Sequence, residues 1–300
     1  MLELKDNINS KQEAEKFVGR CEKNFYAELY STLHGVMNGD GVKLITLSGP
    51  TCSGKTTTAK ILDEIITSRG KNTVVMSIDD FFLDRSSRND VVSEAPDYDT
   101  IRAIDLDYFR YFMSRLLRDE SVLVPEYNFT KTKRVGYNEY IPSPDDIYVF
   151  EGIQAVYPEI TSLLGDEYKS IFISVEDGVS YKGVTLTKDE LRLLRRIVRD
   201  YKFRGAMVEF TFHLWEGVRD NEEKNIFPNA KNCGFRIDSL LAYEPFIIEK
   251  YAAPLLREVP ASSRYKKEAR DLYDKISVFK NEYFSEEMIP QNSVFREFIG

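Results

Sequence analysis

The chain has 300 residues and a formal net charge of −8, from 41 lysines and arginines against 49 aspartates and glutamates. That length buries a full hydrophobic core, and the acidic balance argues against non-specific binding to nucleic acid or to membranes. Three widely spaced cysteines and two histidines argue against a disulfide framework and against a multi-histidine metal site. With no signal peptide and no apolar run that could span a bilayer, we expect a cytoplasmic protein.

Residues 11–36 place apolar side chains at helical spacing and predict an amphipathic helix within an N-terminal extension, residues 1–41. Beyond it, short apolar runs alternate with helical patterns, which is typical of an α/β domain with a parallel sheet covered on both faces. We expect that domain to span residues 42–300. The predicted strands are residues 42–48, 73–78, 122–125, 147–150 and 170–175. The predicted helices after the first are residues 55–69, 105–118, 156–164, 187–203, 207–224, 239–258 and 262–284.

The stretch GPTCSGKTT, residues 49–57, follows the first predicted strand and opens a predicted helix. Its spacing matches the phosphate-binding loop G-x-x-x-x-G-K-[ST], in which main-chain N–H groups at a helix N-terminus bind phosphate oxygens. Lys55 is predicted to reach the β- and γ-phosphates, and the Thr56 hydroxyl to bind Mg²⁺. The predicted nucleotide-binding residues of the loop are Gly49, Pro50, Thr51, Cys52, Ser53, Gly54, Lys55, Thr56 and Thr57.

Acidic residues follow two of the predicted strands. Asp79 and Asp80 come after residues 73–78, and Glu151 comes after residues 147–150. Ligands of parallel sheets bind outside the carboxyl ends of the strands, so these acids are predicted to lie beside the phosphate loop. There, one carboxylate could accept a proton from an acceptor hydroxyl and another could orient Mg²⁺. The alternative is that the two aspartates only cap a turn.

A third feature is an arginine-rich helix after the capping box Thr187-Lys-Asp-Glu190. Its spacing places four arginines on one helix face, with Arg204 following; the four are Arg192, Arg195, Arg196 and Arg199. We predict an arginine lid at about residues 187–232 that closes over a triphosphate, although Arg192 or Arg195 could pair with surface acids instead. A solvated charged face is the alternative interpretation.

Seven motifs in order resemble the uridine kinase family of P-loop kinases, which includes phosphoribulokinase and bacterial pantothenate kinase. They are GPTCSGKTT, SIDDFF, YDTIRAIDLD, PEYNF, VFEGI, RLLRRIVRDYKFRG and IFPNAKN, within residues 43–258. The nearest likeness is to a bacterial subgroup often fused to a threonyl-tRNA-synthetase-like N-terminal module, in place of which we expect only the helix before residue 42. The resemblance implies a three-layer P-loop NTPase-type sandwich with a helical arginine lid and a helical C-terminal region, and ATP and Mg²⁺ as cofactors.

The resemblance also implies a role for each matching residue. Asp79 matches the general base facing a nucleoside 5′-hydroxyl, and Tyr98 and Asp99 match an aromatic–acid pair at the base and ribose. The implied catalytic residues are Lys55, Asp79, Arg199 and Arg204, of which the two arginines also bind phosphate. The implied acceptor-binding residues are Asp79, Asp80, Phe82, Tyr98, Asp99, Tyr127, Arg134 and Arg196. The implied Mg²⁺-binding residues are Thr56, Asp79 and Glu151.

The sequence departs from the family pattern where the acceptor base is read. Thr132 stands where uridine–cytidine kinases carry a histidine, while Ala206 and Gly234 replace an arginine and an acid of the lid region. We therefore expect a kinase that converts a nucleoside to its monophosphate and keep two alternatives. One is a kinase of another small alcohol, a sugar phosphate bound by the cations at residues 131–134 or a pantothenate-like molecule; the other is a nucleotide-binding regulatory module. A small molecule is the expected partner, nucleic acid and membranes are not, and a homo-oligomer is left open.

Overall fold

The computed structural model describes residues 1–4, 8–39, 41–84, 99–165 and 167–300. The strands are β1 (Leu2–Glu3), β2 (Leu44–Ser48), β3 (Asn72–Ser77), β4 (Val122–Asn128), β5 (Lys133–Tyr140), β6 (Asp146–Glu151), β7 (Tyr168–Ser174), β8 (Val179–Tyr181), β9 (Val184–Leu186) and β10 (Phe235–Asp238). The helices are α1 (Lys11–Val36), α2 (Lys55–Ser68), α3 (Leu106–Leu116), α4 (Pro158–Thr161), α5 (Lys188–Arg204), α6 (Val208–Asn221), α7 (Phe227–Ala230), α8 (Glu244–Glu258), α9 (Lys266–Ser277) and α10 (Arg296–Ile299).

The main sheet of the described chain is parallel, with the strand order β10–β7–β2–β6–β3. Every residue of the central strand β2 is buried, which explains why its sequence is an almost continuous apolar run. Glu151 at the end of β6 lies opposite both Leu47 of β2 and Ser77 of β3. The ends of these three strands therefore meet at one edge of the sheet. The acids that follow β3 and β6 thus lie at the same edge as the loop after β2, as expected.

Helices cover both faces of the sheet, so the predicted three-layer α/β fold is confirmed. Ile45 and Leu47 of β2 join the core formed with α1, α2, α5 and α8. Leu44, one residue out of phase, joins the other core with Phe109 and Phe112 of α3. Alternate residues of a strand point to opposite faces, so each core takes its own set of side chains.

The element boundaries agree with the sequence patterns in some places and not in others. The predicted first helix, residues 11–36, is confirmed, with Ser10 capping it by accepting a hydrogen bond from the Glu13 N–H. Placing residues 122–125 in the parallel sheet was wrong: β4 pairs antiparallel with β5 as a separate hairpin. Strand β10, which completes one edge of the sheet, had no counterpart among the predicted strands.

Proline and local turns shorten several predicted helices. The pattern at residues 156–164 yields only α4, which begins at Pro158. The pattern at residues 239–258 becomes helical only at Glu244, with a proline in its first turn.

No helix among the described residues is long and apolar enough to cross a membrane. The boundary between residues 41 and 42 stays a prediction, although Phe17 of α1 packs edge-to-face on Phe246 of α8.

Candidate active site

The phosphate loop connects β2 to α2 in a tightly curled conformation. Gly54 has φ of +97° at the N-cap of α2, and a Cβ there would lie 2.5 Å from Val294 Cγ2. A Cβ on Gly49 would lie 2.1 Å from the carbonyl oxygen of Ile173, so the first glycine is required for close packing on β7. The packing of the loop therefore requires glycine at both positions, whether or not a ligand binds.

Side chains at the start of α2 differ in what they contact. The Lys55 ammonium donates hydrogen bonds to the carbonyl oxygens of Gly49 (2.9 Å) and Pro50 (3.2 Å), so it lies over the loop. The Thr56 side chain is exposed. The Thr57 N–H and hydroxyl both donate, at 2.6 Å, to the carboxylate of Glu297. The helix N-terminus therefore already binds one anionic group, supplied by a distant part of the chain.

Asp79 lies in a 3₁₀ turn (Ile78–Phe81) that starts directly after β3. Burial and the neighbouring Glu151 carboxylate raise its pKa to about 7, with Asp99 and Asp80 adding to the rise and the Lys55 ammonium opposing it. The sheet register explains the influence of Glu151, because β2, β3 and β6 end at the same edge of the sheet. A carboxylate with a pKa near neutrality, near the lysine that is predicted to bind phosphate, has the properties of a general base.

The other two acids at this edge are held by hydrogen bonds. Glu151 accepts a hydrogen bond from the Ser77 hydroxyl at 3.0 Å, which fixes it between β6 and β3. Asp80 accepts one from the Tyr127 N–H at 3.1 Å and so joins the 3₁₀ turn to β4. This contact gives Asp80 a structural role, but it joins two elements and does not cap the turn, whose N-cap residue is Ser77. Its predicted contact with an acceptor stays a prediction.

Three arginines of α5 surround one buried aspartate. Arg196 (3.2 Å), Arg199 (2.9 Å) and Arg204 (3.4 Å) all form ion pairs with Asp200, which is 4% exposed. The Glu297 carboxylate also acts on Arg199, but two acids cannot neutralise three guanidinium groups, so positive charge is left over in this cluster. Burial lowers the pKa of Arg199, but the neighbouring Cys52 and Asp200 raise it by more, so the pKa is higher than the ordinary value. The excess charge therefore lies beside the phosphate loop, where an anion would be stabilised.

The remaining two arginines of the predicted stripe do not belong to this cluster. Arg192 and Arg195 are 1% and 0% exposed. Arg192 pairs with Glu222 at 2.6 Å, and Arg195 donates from Nε to Glu244 at 2.7 Å. Both glutamates are buried at 1% exposure or less, so the predicted pairing with surface acids does not hold for Arg195. Arg192 does also pair with a partly exposed acid, Asp189, at 3.1 Å. Helix α5 is buried on both sides, and its spacing alone could not show this.

These two buried arginines also contact backbone carbonyl groups of the phosphate loop. Arg195 Nη1 donates to the carbonyl oxygen of Cys52 at 3.0 Å, and Arg192 Nη1 approaches that of Thr51 at 3.5 Å. Cys52 has φ of +58°, a left-handed conformation that is unfavourable for a side-chain-bearing residue. Arg195 therefore holds the loop in a conformation that the loop sequence alone would not favour.

The predicted acceptor-binding residues divide into two groups. Asp99 lies close to Asp79, whose pKa it raises, whereas Tyr98 lies outside the described residues. Tyr127 is only 6% exposed and packs edge-to-face with Phe82 at a ring distance of 5.5 Å. Tyr127 and Phe82 therefore form a buried aromatic wall next to Asp80, which accepts a hydrogen bond from the Tyr127 N–H. Their contact with an acceptor stays a prediction.

Arg134 lines a cleft of about 510 Å³ next to this wall. Its guanidinium pairs with Asp105 at 3.3 Å, donates to the Tyr137 hydroxyl at 2.8 Å and lies 5.1 Å from the centre of the Tyr108 ring. Lys131 and Lys133, near the tip of the β4–β5 hairpin, are exposed. The predicted basic cluster thus contains one arginine already paired with an acid and two solvated lysines.

A sequence model of the phosphoribulokinase/uridine kinase family matches residues 44–242. The chain belongs to this family. The uridine kinase of Ureaplasma urealyticum is 28% identical over 204 residues, covering 67% of this chain and 90% of that protein. The uridine kinase of Halobacterium salinarum is 30% identical over 190 residues, covering 63% and 76%. A solved structure of a possible uridine kinase from Bacillus stearothermophilus shares the fold, with a TM-score of 0.51 and 14% identity, covering 72% of this chain and 100% of that one.

Membership of the phosphoribulokinase/uridine kinase family makes the chain a kinase, and kinases of this family in general use ATP and Mg²⁺. Nothing in the comparisons supports the predicted kinship with proteins fused to a threonyl-tRNA-synthetase-like module. The family match ends at residue 242, so α1 and α8 to α10 lie outside it. Glu297, whose carboxylate contacts the loop, lies in this outer part, and no motif in the sequence pointed to it.

Proposed function

We propose that the protein is an ATP- and Mg²⁺-dependent kinase that phosphorylates the 5′-hydroxyl of a uridine- or cytidine-like nucleoside to give the monophosphate. The observation that carries this proposal is the position of Asp79, which directly follows β3 at the edge of the sheet where Glu151 and the phosphate loop lie. Burial and the Glu151 carboxylate raise its pKa to about 7, and Lys55 opposes the rise. A protein that only binds nucleotide needs no such base. The similarity to uridine kinases supports a nucleoside as the acceptor.

The residues of this chain divide the reaction between them. The N–H groups of the loop and the Lys55 ammonium bind the phosphates of ATP. Arg199 and Arg204 place positive charge next to the transferring phosphoryl group and so stabilise its negative charge. Asp79 in its ionised form takes the proton of the acceptor hydroxyl, and Asp99 accepts hydrogen bonds from the ribose hydroxyls. The two reactants are thereby held in line for direct transfer of the γ-phosphoryl group.

The oxygen donors at the site suit Mg²⁺. The exposed Thr56 hydroxyl and the carboxylates of Asp79 and Glu151 are hard ligands at one edge of the sheet. Among the residues that the structure describes, no group of three or more His, Cys, Asp or Glu side chains could hold a metal by itself. This agrees with the usual mode of Mg²⁺, which binds through one or two carboxylates together with nucleotide phosphates. When bound, the ion would neutralise charge on the transferring phosphoryl group.

The rate of the proposed reaction should depend on the ionisation of Asp79. Burial and the Glu151 carboxylate place its pKa at about 7, above the ordinary value of 3.8. Because a general base works only when it is deprotonated, kcat/KM should rise as the pH is raised from 6 to 8 and level off above the midpoint. Steady-state kinetics across this range measure the profile. A kcat/KM that is flat from pH 6 to 8 would contradict this assignment.

The acceptor is tested directly by a panel of alcohols. With uridine or cytidine as acceptor, we expect the enzyme to release ADP at least about tenfold faster than with sugar phosphates or pantothenate. The reason is that the only arginine of the predicted basic cluster is already paired with Asp105. A coupled assay for ADP, with the product identified by mass spectrometry, distinguishes the two classes. Faster turnover of a phosphorylated sugar would replace the nucleoside proposal by the alternative that the cluster at residues 131–134 suggested.

A further inference from the structure

Residues 289–300, called here the 289–300 segment, are seated on the phosphate loop. Val294 packs against Gly54, and the Glu297 carboxylate accepts hydrogen bonds from both the N–H and the hydroxyl of Thr57 at 2.6 Å. The ring of Phe298 lies 4.8 Å from the guanidinium of Arg195. The segment is a packed part of the molecule, since four of its apolar side chains are at most 1% exposed: Val294, Phe295, Phe298 and Ile299.

The Glu297 carboxylate accepts hydrogen bonds from Thr57 in the same way as a phosphate oxygen would. The Thr57 N–H is in the first turn of α2, where no earlier helical carbonyl accepts it, and such groups bind anions. A carboxylate oxygen at 2.6 Å from this nitrogen leaves no room for a phosphate oxygen at the same place. Two anions so close would also repel each other. Glu297 and a nucleotide phosphate therefore exclude each other at Thr57.

The segment is anchored at its other end by α1. The Ser293 hydroxyl donates to the Glu22 carboxylate at 2.6 Å, and the Tyr26 hydroxyl donates to the carbonyl oxygen of Asn292. Both partners, α1 and the segment, lie outside the residues that match the family model. The N-terminal helix thus fixes residues 292–293, and the following residues reach the loop from that anchor.

We propose that Glu297 determines the nucleotide affinity of this kinase, because its carboxylate competes with a nucleotide phosphate for Thr57. Nucleotide binding then requires residues 294–300 to leave the loop, and the apparent affinity is reduced by the fraction of molecules in which the segment is seated. Arg199, which lies near Glu297, can pair with the phosphate once the carboxylate has left. The inference rests on the proposed function, since it assumes that the loop binds ATP.

A simpler role for Glu297 is that of a helix cap supplied from a distance. Gly54, at the N-cap of α2, provides no side-chain hydrogen bond, so a carboxylate on Thr57 would stabilise α2 whether or not nucleotide binds. The two roles predict opposite effects on ATP affinity when the charge of Glu297 is removed. A pure cap keeps the loop ordered, so its loss leaves the affinity unchanged or weakens it.

The test is calorimetric titration of the full chain with a non-hydrolysable ATP analogue and Mg²⁺. We expect Glu297→Gln and Glu297→Ala to bind about tenfold more tightly than the unmodified chain, as loss of one charged hydrogen-bond contact predicts. Glu287→Gln is the matched control, because Glu287 is exposed in the same part of the chain, and its affinity should not change. Unchanged or weaker binding by both Glu297 variants would overturn the proposal.

Hydrogen exchange of the unmodified chain gives an independent readout that needs no variant. We expect backbone amides of residues 294–300 to exchange faster when the analogue is bound, because the segment has left the loop. Slower or unchanged exchange would overturn the proposal. Failure of every variant and of the unmodified chain to bind the analogue would overturn the proposed function, and this inference with it, which distinguishes the two failures.

Discussion

Asp79→Asn should reduce kcat by about 10³-fold while leaving the affinity for ATP nearly unchanged. Asparagine has the same shape as aspartate but cannot accept the acceptor proton, so the chemical step loses its base. The loop amides and Lys55, which are predicted to hold ATP, are untouched by the change. Single-turnover transfer from labelled ATP measures the chemical step, and titration with a non-hydrolysable analogue measures binding. Asp271→Asn, an exposed position on α9, is the matched control and should retain full activity.

The same substitution should make the folded chain more stable. The Asp79 pKa of about 7 exceeds the ordinary 3.8, so ionising this carboxyl costs folding free energy that grows as the pH rises from about 4 to about 7. At pH 8 the cost is on the order of 2–4 kcal/mol before any ligand binds. Urea unfolding at pH 8 should show Asp79→Asn gaining stability, and the gain should shrink toward pH 4. An equal effect at both pH values would show that the pKa is not raised.

Glu244→Ala should cost about 3–5 kcal/mol of unfolding free energy, the largest stability loss that we expect. Glu244 is 1% exposed and pairs with Arg195, which is itself fully buried. Without the glutamate, the buried guanidinium keeps contacts with the Cys52 carbonyl, the Ser239 hydroxyl and the Phe298 ring, none of which carries a negative charge. Urea unfolding at neutral pH gives the difference. Glu258→Ala, at the exposed end of the same helix, is the control and should change stability by less than about 0.5 kcal/mol.

A double variant separates the charge from the support of the loop. Arg195→Met with Glu244→Leu removes both charges, so stability should recover most of the loss of the single variant. The hydrogen bond from Arg195 to the Cys52 carbonyl is lost as well, and the left-handed Cys52 is then unsupported. We therefore expect a stable chain with weakened ATP binding. A double variant as unstable as Glu244→Ala would show that packing, not the buried charge, sets the cost.

The sequence predicts those parts of the site that depend on local or sheet geometry. The phosphate loop follows from nine consecutive residues, 49–57. Asp79 and Glu151 could be placed together because the ends of parallel strands meet at one edge. The N-cap at Ser10 and the capping box at Thr187 and Glu190 also involve residues only a few positions apart.

The parts that the sequence did not reveal depend on partners far along the chain. The spacing of the α5 arginines shows which share a helix face, but Arg195 finds its glutamate 49 residues later and Arg192 finds its own 30 residues later. Glu297 contacts Thr57 across 240 positions. Residues 122–125 were misassigned to the parallel sheet because a short apolar run fits a parallel or an antiparallel strand equally well. Such contacts are fixed by tertiary packing and carry no local signal.

A crystal structure with a non-hydrolysable ATP analogue, Mg²⁺ and uridine would show directly whether Asp79 faces the acceptor. We expect the triphosphate on the amides of residues 49–57, and the 5′-oxygen of the nucleoside within about 3.2 Å of an Asp79 carboxylate oxygen. A nucleoside bound elsewhere, or an Asp79 side chain turned away from the phosphates with no acceptor between them, would contradict this expectation.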